Sequence, residues 1–306
     1  MAIVPIRLTV PPLLSRYDID RADELRGDSQ ALDVAWPGAA VVRIDRKGRF
    51  SLVDGALDYA LGSDVAESRP ADAVFLGRVE DRSVFAVRVL DVAVGGGASS
   101  SSDLRLAGLA LSETDAAVAA QAIAILNWHA SAHFSPVDGA PTEPERGGWV
   151  RRNTATGTEE FPRTDAAMIT LVHDGGDQVL LGRQAVWPER RFSLFAGFVE
   201  PGESLEQCVA RELYEEVGVA ADEITYVASQ PWPFPRSLML GFTARTARNS
   251  ALDFRDGEIA EARWFTRDEV RTALEAGDWG SESSDSPLLL PNSISIARAI
   301  IEAWVA

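Results

Sequence analysis

Cysteine is nearly absent: Cys208 is the only one in 306 residues, which excludes internal disulfides and a zinc site built on cysteine thiolates. Positive charge is in deficit as well. With 29 Lys and Arg against 46 Asp and Glu the net charge is −17, which argues against nonspecific binding to duplex nucleic acid or anionic membranes. A small anionic substrate stays open, because a bound cation can invert the local charge. Long apolar runs are missing too. The most apolar helical stretch, Ala116 to Leu126, is too short to span a bilayer and follows Glu113 and Asp115. The opening MAIVPIRLTV lacks the apolar region of a signal peptide, so a cytoplasmic location is expected. Gly95–Gly97 followed by Ala98–Ser102 reads as a flexible loop, because no helix with a phosphate-binding lysine follows it.

What is present fits a folded protein: 46% hydrophobic and 25% charged residues over a length that suggests two domains, with a small module between them. Short β-type runs at Ala40–Ile44, Ala73–Leu76 and Val84–Leu90 mark an N-terminal mixed α+β domain, placed at 1–125. A helix is predicted from Ser112, as N-cap, to about His129. Residues 126–160 read as a connector, polar and irregular from 130. From 161 to 306 strands surround one strong helix, with a terminal helix from about Ser293, which outlines an α/β/α sandwich.

The strong helix carries the chemistry. Residues 197–219 read GFVEPGESLEQCVARELYEEVGV. Ser204 and Gln207 form a capping box, and Gly218 stands where a helix end turns left-handed. Leu205, Val209, Leu213 and Val217 make a buried stripe, and Cys208 reads as a small core filler. Glu212, Glu215 and Glu216 are three and four apart, so their carboxylates share a neighbouring face. Like charges that close need a counter-charge. Arg211, four residues before Glu215, supplies part of it, and a hard oxygen-binding cation such as Mg²⁺ or Mn²⁺ suits the rest. An ordinary acidic solvated face is the bland alternative, and the preceding Gly-x5-Glu loop disfavours it.

The segment matches G-x5-E-x7-R-E-U-x-E-E-x-G-U, with U aliphatic, through Gly197, Glu203, Arg211, Glu212, Glu215, Glu216 and Gly218. Seven fixed identities arise by chance at about 10⁻⁹ per starting position, too rarely for coincidence. This resembles the Nudix box, whose bearers hydrolyse diphosphates linked to nucleosides with divalent metal. Directly after it, residues 229–237 match SQPWPFPxS, which marks the NADH pyrophosphatase subfamily. Its members cleave NAD(H) to AMP and nicotinamide mononucleotide, and some remove NAD caps from RNA. Phe161-Pro162-Arg163-Thr164-Asp165 resembles that subfamily's YPR-x-D, residues 256–265 (DGEIAEARWF) its further metal-binding strand, and Ser295-Ile296-Ala297-Arg298 the start of its last helix.

The resemblance implies roles. Glu212, Glu216 and Glu258 would ligate Mg²⁺ or Mn²⁺, with Glu215 ligating or positioning water. The general base would be Glu215, Glu216 or Glu258. Glu203 would orient the loop or assist a metal, and Arg211 would align the glutamates. Phe198, with Phe161 as a second candidate, would stack on nicotinamide. Gln230, Trp232, Phe234, Ser237, Met239 and Ala297 would border substrate, some of them across a homodimer. One departure matters. Many members carry a four-cysteine zinc ribbon where this chain has Ser135, Asp138, Asn153 and Thr156. His129 and His133 are four apart, but no second pair is evident, so the expectation is no structural zinc. Two other readings compete: a broader hydrolase of nucleoside diphosphate derivatives, and a non-catalytic NAD sensor on the same scaffold. The 229–237 motif disfavours the first, and the complete set of box carboxylates the second.

Overall fold

The computed structural model describes residues 6–17, 19–92, 99–248, 251–255, 257–281 and 285–306. The chain divides into two compact units. One comprises 14–164 with 231–237, and the other 1–13, 165–230 and 238–306.

In the first unit, strands run in the order Tyr59–Leu61, Ala40–Ile44, Arg82–Arg88, Val74–Val79. Ala40–Ile44 lies parallel to Arg82–Arg88, and its other neighbour is antiparallel. Trp36 and Phe75 pack on Phe85 at ring-centroid distances of 5.4 and 5.2 Å, filling the core with large aromatic area. The helix Glu113–Ser131 covers this sheet, N-capped by Ser112 as predicted. The expected loop at 98–102 resolves differently. Gly95–Gly97 and Ala98 lie outside the described residues, but Ser99–Ser102 is a strand paired antiparallel with Phe50–Val53. Four serines carry no strand pattern of their own, so a partner distant in sequence decides their conformation. The connector is likewise not irregular. Thr142–Glu145, Val150–Asn153 and Glu159–Glu160 form a small antiparallel sheet.

The second unit is the expected α/β/α sandwich. Its sheet runs Asp222–Trp232, Ser237–Arg245, Asp165–His173, Gln178–Gln184, Ile259–Thr266, and Phe195–Phe198 also pairs with Asp165–His173. Alternation along the central strand sorts the core into two layers. Met168 and Val172 face the helix Leu205–Val217 through Val209, Leu213 and Val217. Ile169 and Leu171 face the helix Ile296–Val305 through Ile300 and Trp304. The terminal helix begins after Ser295 rather than near Ser293, because the Ser295 hydroxyl accepts from Ala297 N. A further helix, Arg267–Ala276, is absent from the sequence reading although Thr266 and Glu269 form a complete capping box. That T-x-x-E signal would have found it.

Both ends of the helix Leu205–Val217 are as its sequence predicts. The Ser204–Gln207 capping box is complete, and Gly218 adopts φ 73°. A Cβ on Gly218 would also stand 2.8 Å from Asp253 Cβ. Gly218→Ala should therefore cost about 1–2 kcal/mol through left-handed strain and this clash. Urea titration reads it as a lower midpoint at unchanged slope, and an unmoved midpoint would refute this account of the helix end.

Candidate active site

The box loop doubles back so that Arg211 becomes the hub of its carboxylates. Arg211 Nε and Nη2 donate to Glu203 Oε2 and Oε1 at 3.1 and 2.7 Å. Nη2 also donates to Phe198 O at 3.0 Å. Nη1 reaches Glu215 Oε2 at 2.9 Å and Glu212 Oε1 at 3.0 Å. Such a fork suits guanidinium geometry and no other side chain. The Arg211 pairing, with Glu200 N also donating, holds the Glu203 carboxyl down at about 2. Its carboxylates in turn raise Arg211, so this ion pair stays charged at any working pH.

Glu212 behaves oppositely. Burial pushes its carboxyl up against the pull of Arg211, and the charges of Glu215 and Glu258 add to the rise. Glu258, 46 positions along the chain, therefore acts on the box face, just ahead of the strand Ile259–Thr266. The Glu212 carboxylate lies directly against Gly197, where a Cβ would overlap it. Gly197 sits opposite Met168 in the pairing of Phe195–Phe198 with the central strand, which anchors its backbone. Glu216 is 3% exposed, whereas half of the Glu215 side chain meets solvent. Glu212, Glu215, Glu216 and Glu258 thus form one acidic end of the unit. As the side chains stand, Arg211 bridges two of them, and no three His, Cys, Asp or Glu among the described residues converge as a metal cluster.

The remaining expected residues are scattered. Phe198 is exposed beside this face. Gln230 is fully buried and donates to Ile294 O at 2.9 Å, tying the sheet to the loop before the last helix. Ala297 is buried in that helix's first turn, and Met239 packs against the same core. Phe161, Trp232, Phe234 and Ser237 belong to the other unit: Phe161 is exposed, Ser237 buried, and the Trp232 and Phe234 rings meet edge to face at 4.9 Å. Cys208 is a core residue as expected, and burial pushes its thiol up to about 12. The carbonyl of Phe198 and the amide of Glu200, which no side-chain pattern marks, also brace the loop.

Residues 162–283 match the NUDIX domain, 32–128 the NADH pyrophosphatase-like rudimentary NUDIX domain, and 130–161 the NADH pyrophosphatase zinc ribbon domain. A Mycobacterium bovis protein, NAD-capped RNA hydrolase NudC, is 54% identical over 306 residues, covering 99% of this chain and 97% of that one. This chain is a Nudix hydrolase of the NADH pyrophosphatase type. The Mycobacterium tuberculosis NudC is 53% identical over the same coverage. Human NAD-capped RNA hydrolase NUDT12 is 38% identical over 206 residues, 64% of this chain and 43% of that one. Among the described residues of this Nudix hydrolase, no helix is long and apolar enough to cross a membrane.

The expectation of no zinc is corrected by the match of 130–161 to the zinc ribbon domain: the connector is a module of that family. A ribbon is defined by its backbone sheet, which side chains at four turn positions do not encode. Asn153 Nδ2 donates to both Asp138 oxygens at 2.9 and 3.0 Å, and Asn153 Oδ1 accepts from Ala155 N and Thr156 N. Ser135 Oγ accepts from Val137 N in the opposite turn. The two turns of the ribbon are thus joined by the Asn153 amide and the Asp138 carboxylate.

Proposed function

We infer that this Nudix hydrolase cleaves the diphosphate of NAD(H) to AMP and nicotinamide mononucleotide, and that NAD-capped RNA 5′ ends are substrates of the same site. The observation that carries the reading is the acidic end built from Glu212, Glu215, Glu216 and Glu258 on a Gly197 cradle. A dinucleotide diphosphate is anionic, so these carboxylates accept it only with divalent metal between them. The donor set is all hard oxygen, and a partly buried Glu212, its carboxyl raised first by burial and then by the charges of Glu215 and Glu258, is what a cation would relieve. Glu212, Glu216 and Glu258 would hold Mg²⁺ or Mn²⁺, with Glu215 ligating or positioning water. When bound, the metal neutralises phosphate oxygens and acidifies water for in-line attack on phosphorus.

The chain's own groups do the rest. Arg211 and Glu203 hold the loop so that Glu212 keeps one orientation. The water's proton passes to Glu215, Glu216 or Glu258. Phe198 presents an exposed ring suited to stacking on nicotinamide. The chain works as a cytoplasmic homodimer, with Ser237 and Met239 contributing to the partner's site. Product analysis with Mg²⁺ or Mn²⁺ and, in parallel, NADH, NAD⁺, ADP-ribose and an NAD-capped oligonucleotide tests this. AMP and nicotinamide mononucleotide from NAD(H), with a monophosphate end on the RNA, are expected. Preferential cleavage of ADP-ribose would overturn the substrate assignment.

A further inference from the structure

Several arginines of the first unit are held by carboxylates: Arg43 pairs with Asp58, Arg49 with Asp45, Arg69 with Asp33, and Arg152 with Glu145. A second set behaves differently. Arg46, Lys47, Arg88, Arg105 and Arg151 line one cavity of about 770 Å³, within the range of ligand sites. None of the five has a carboxylate within ion-pair distance among the described residues. In a chain of net charge −17, five cations without a salt bridge thus line one space. Two acids, Asp72 and Asp103, also line it, and Asp103 is committed to capping the turn 104–107 through Arg105 N and Leu106 N.

The floor is built rather than merely solvated. Arg151 is 5% exposed, and its guanidinium donates to Thr142 Oγ1, Thr142 O and His129 Nδ1, all neutral. His129 Nε2 donates to Gly148 O at 2.7 Å, so its Nδ1 is an acceptor. Burial pushes this imidazole down to about 4, so it stays neutral and can accept from Arg151. Arg88 is likewise held by neutral groups, Asp45 O and Asn127 Oδ1. Burial lowers both guanidinium pKa values, outweighing the more distant charges of Asp45 on Arg88 and of Glu160 and Glu143 on Arg151. A buried charge without a counter-ion is costly to keep. The wall is flat and aromatic: the Arg105 guanidinium lies 4.0 Å from the Phe234 ring centroid. Asn127 Nδ2 fixes that segment by donating to Pro235 O at 2.9 Å. Cationic groups beside an arginine-backed ring are what a nucleotide needs, phosphate for the first and base for the second.

We propose that this cavity is a second nucleotide site, taking the phosphate of a nucleotide on Arg46, Lys47, Arg88 and Arg105 and its base against Phe234. A free nucleotide and a nucleotide within a single RNA strand offer the same chemistry, and two probes separate them. The full-length Glu216→Gln protein is titrated calorimetrically with 5′-AMP and with a short uncapped single-stranded RNA, beside Arg105→Ala and Lys47→Ala in the same background. Both side chains are exposed, so the fold should be unaffected. Loss of a charged contact should weaken the cavity's ligand about tenfold. A second AMP per chain, lost in the variants, identifies the free nucleotide. A tenfold loss confined to the RNA identifies the strand. Equal affinities in parent and variants for both probes overturn the proposal. With Glu216 intact, Arg105→Ala and Lys47→Ala should hydrolyse NADH within twofold of the parent. A parallel fall in NADH turnover would place these groups in the catalytic site and overturn a second one.

Discussion

Glu216→Gln should lower NADH hydrolysis by about 10³-fold or more while leaving the protein folded. Glu216 is 3% exposed and four residues after Glu212 on the same helix face, and Glu212 feels the charges of Glu215 and Glu258. Glutamine keeps its shape and removes its charge, so the loss reports electrostatics rather than packing. Removing one of several clustered anions also relieves repulsion, so the unfolding midpoint should hold steady or rise. The comparison is initial rates with Mg²⁺ or Mn²⁺ varied over several decades. Recovery of rate at high metal assigns Glu216 to metal binding. A flat, low rate assigns it to handling the water's proton. Activity within tenfold of the parent at ordinary metal concentration would remove Glu216 from the site.

Gly197→Ala should be nearly as damaging, from the opposite direction. Its Cβ would overlap the Glu212 carboxylate. The backbone has little freedom to yield, since Gly197 is paired opposite Met168 in the sheet. The glutamate must therefore swing away. Displacement of a catalytic group by about 1 Å costs on the order of 10²-fold in rate, and the overpacking should cost about 1–3 kcal/mol of stability. A double-mutant cycle with Glu212→Ala isolates the contact. The added truncation should restore most of the lost stability and none of the activity. If Gly197→Ala keeps both rate and midpoint, the cradle is not what positions Glu212.

Legibility followed the range of the forces involved. The helix Leu205–Val217 was readable to its caps because Ser204, Gln207 and Gly218 act over three or four residues, and the carboxylate face follows from the same helical spacing. The helix Arg267–Ala276 carried an equally local signal in Thr266 and Glu269 that went unread. Ser99–Ser102 had no such signal, since its strand exists only through pairing with Phe50–Val53. The zinc ribbon was misjudged because its four turn positions were read as ligands alone, while its backbone sheet spans 142–160.

Composition and the motifs at 197–219 and 229–237 were enough to point to the family and to a cluster of carboxylates on one helix face. Those are properties of short spacings, which a helix or a stiff proline-rich segment turns directly into geometry. Folding at long range settled the rest: the Glu212 carboxylate lodged on Gly197, the charge of Glu258 brought to bear on the box, and five cations gathered from positions 46 to 151 around Phe234. No local pattern encodes these, because each depends on strands and loops far apart in the chain meeting as the cores close.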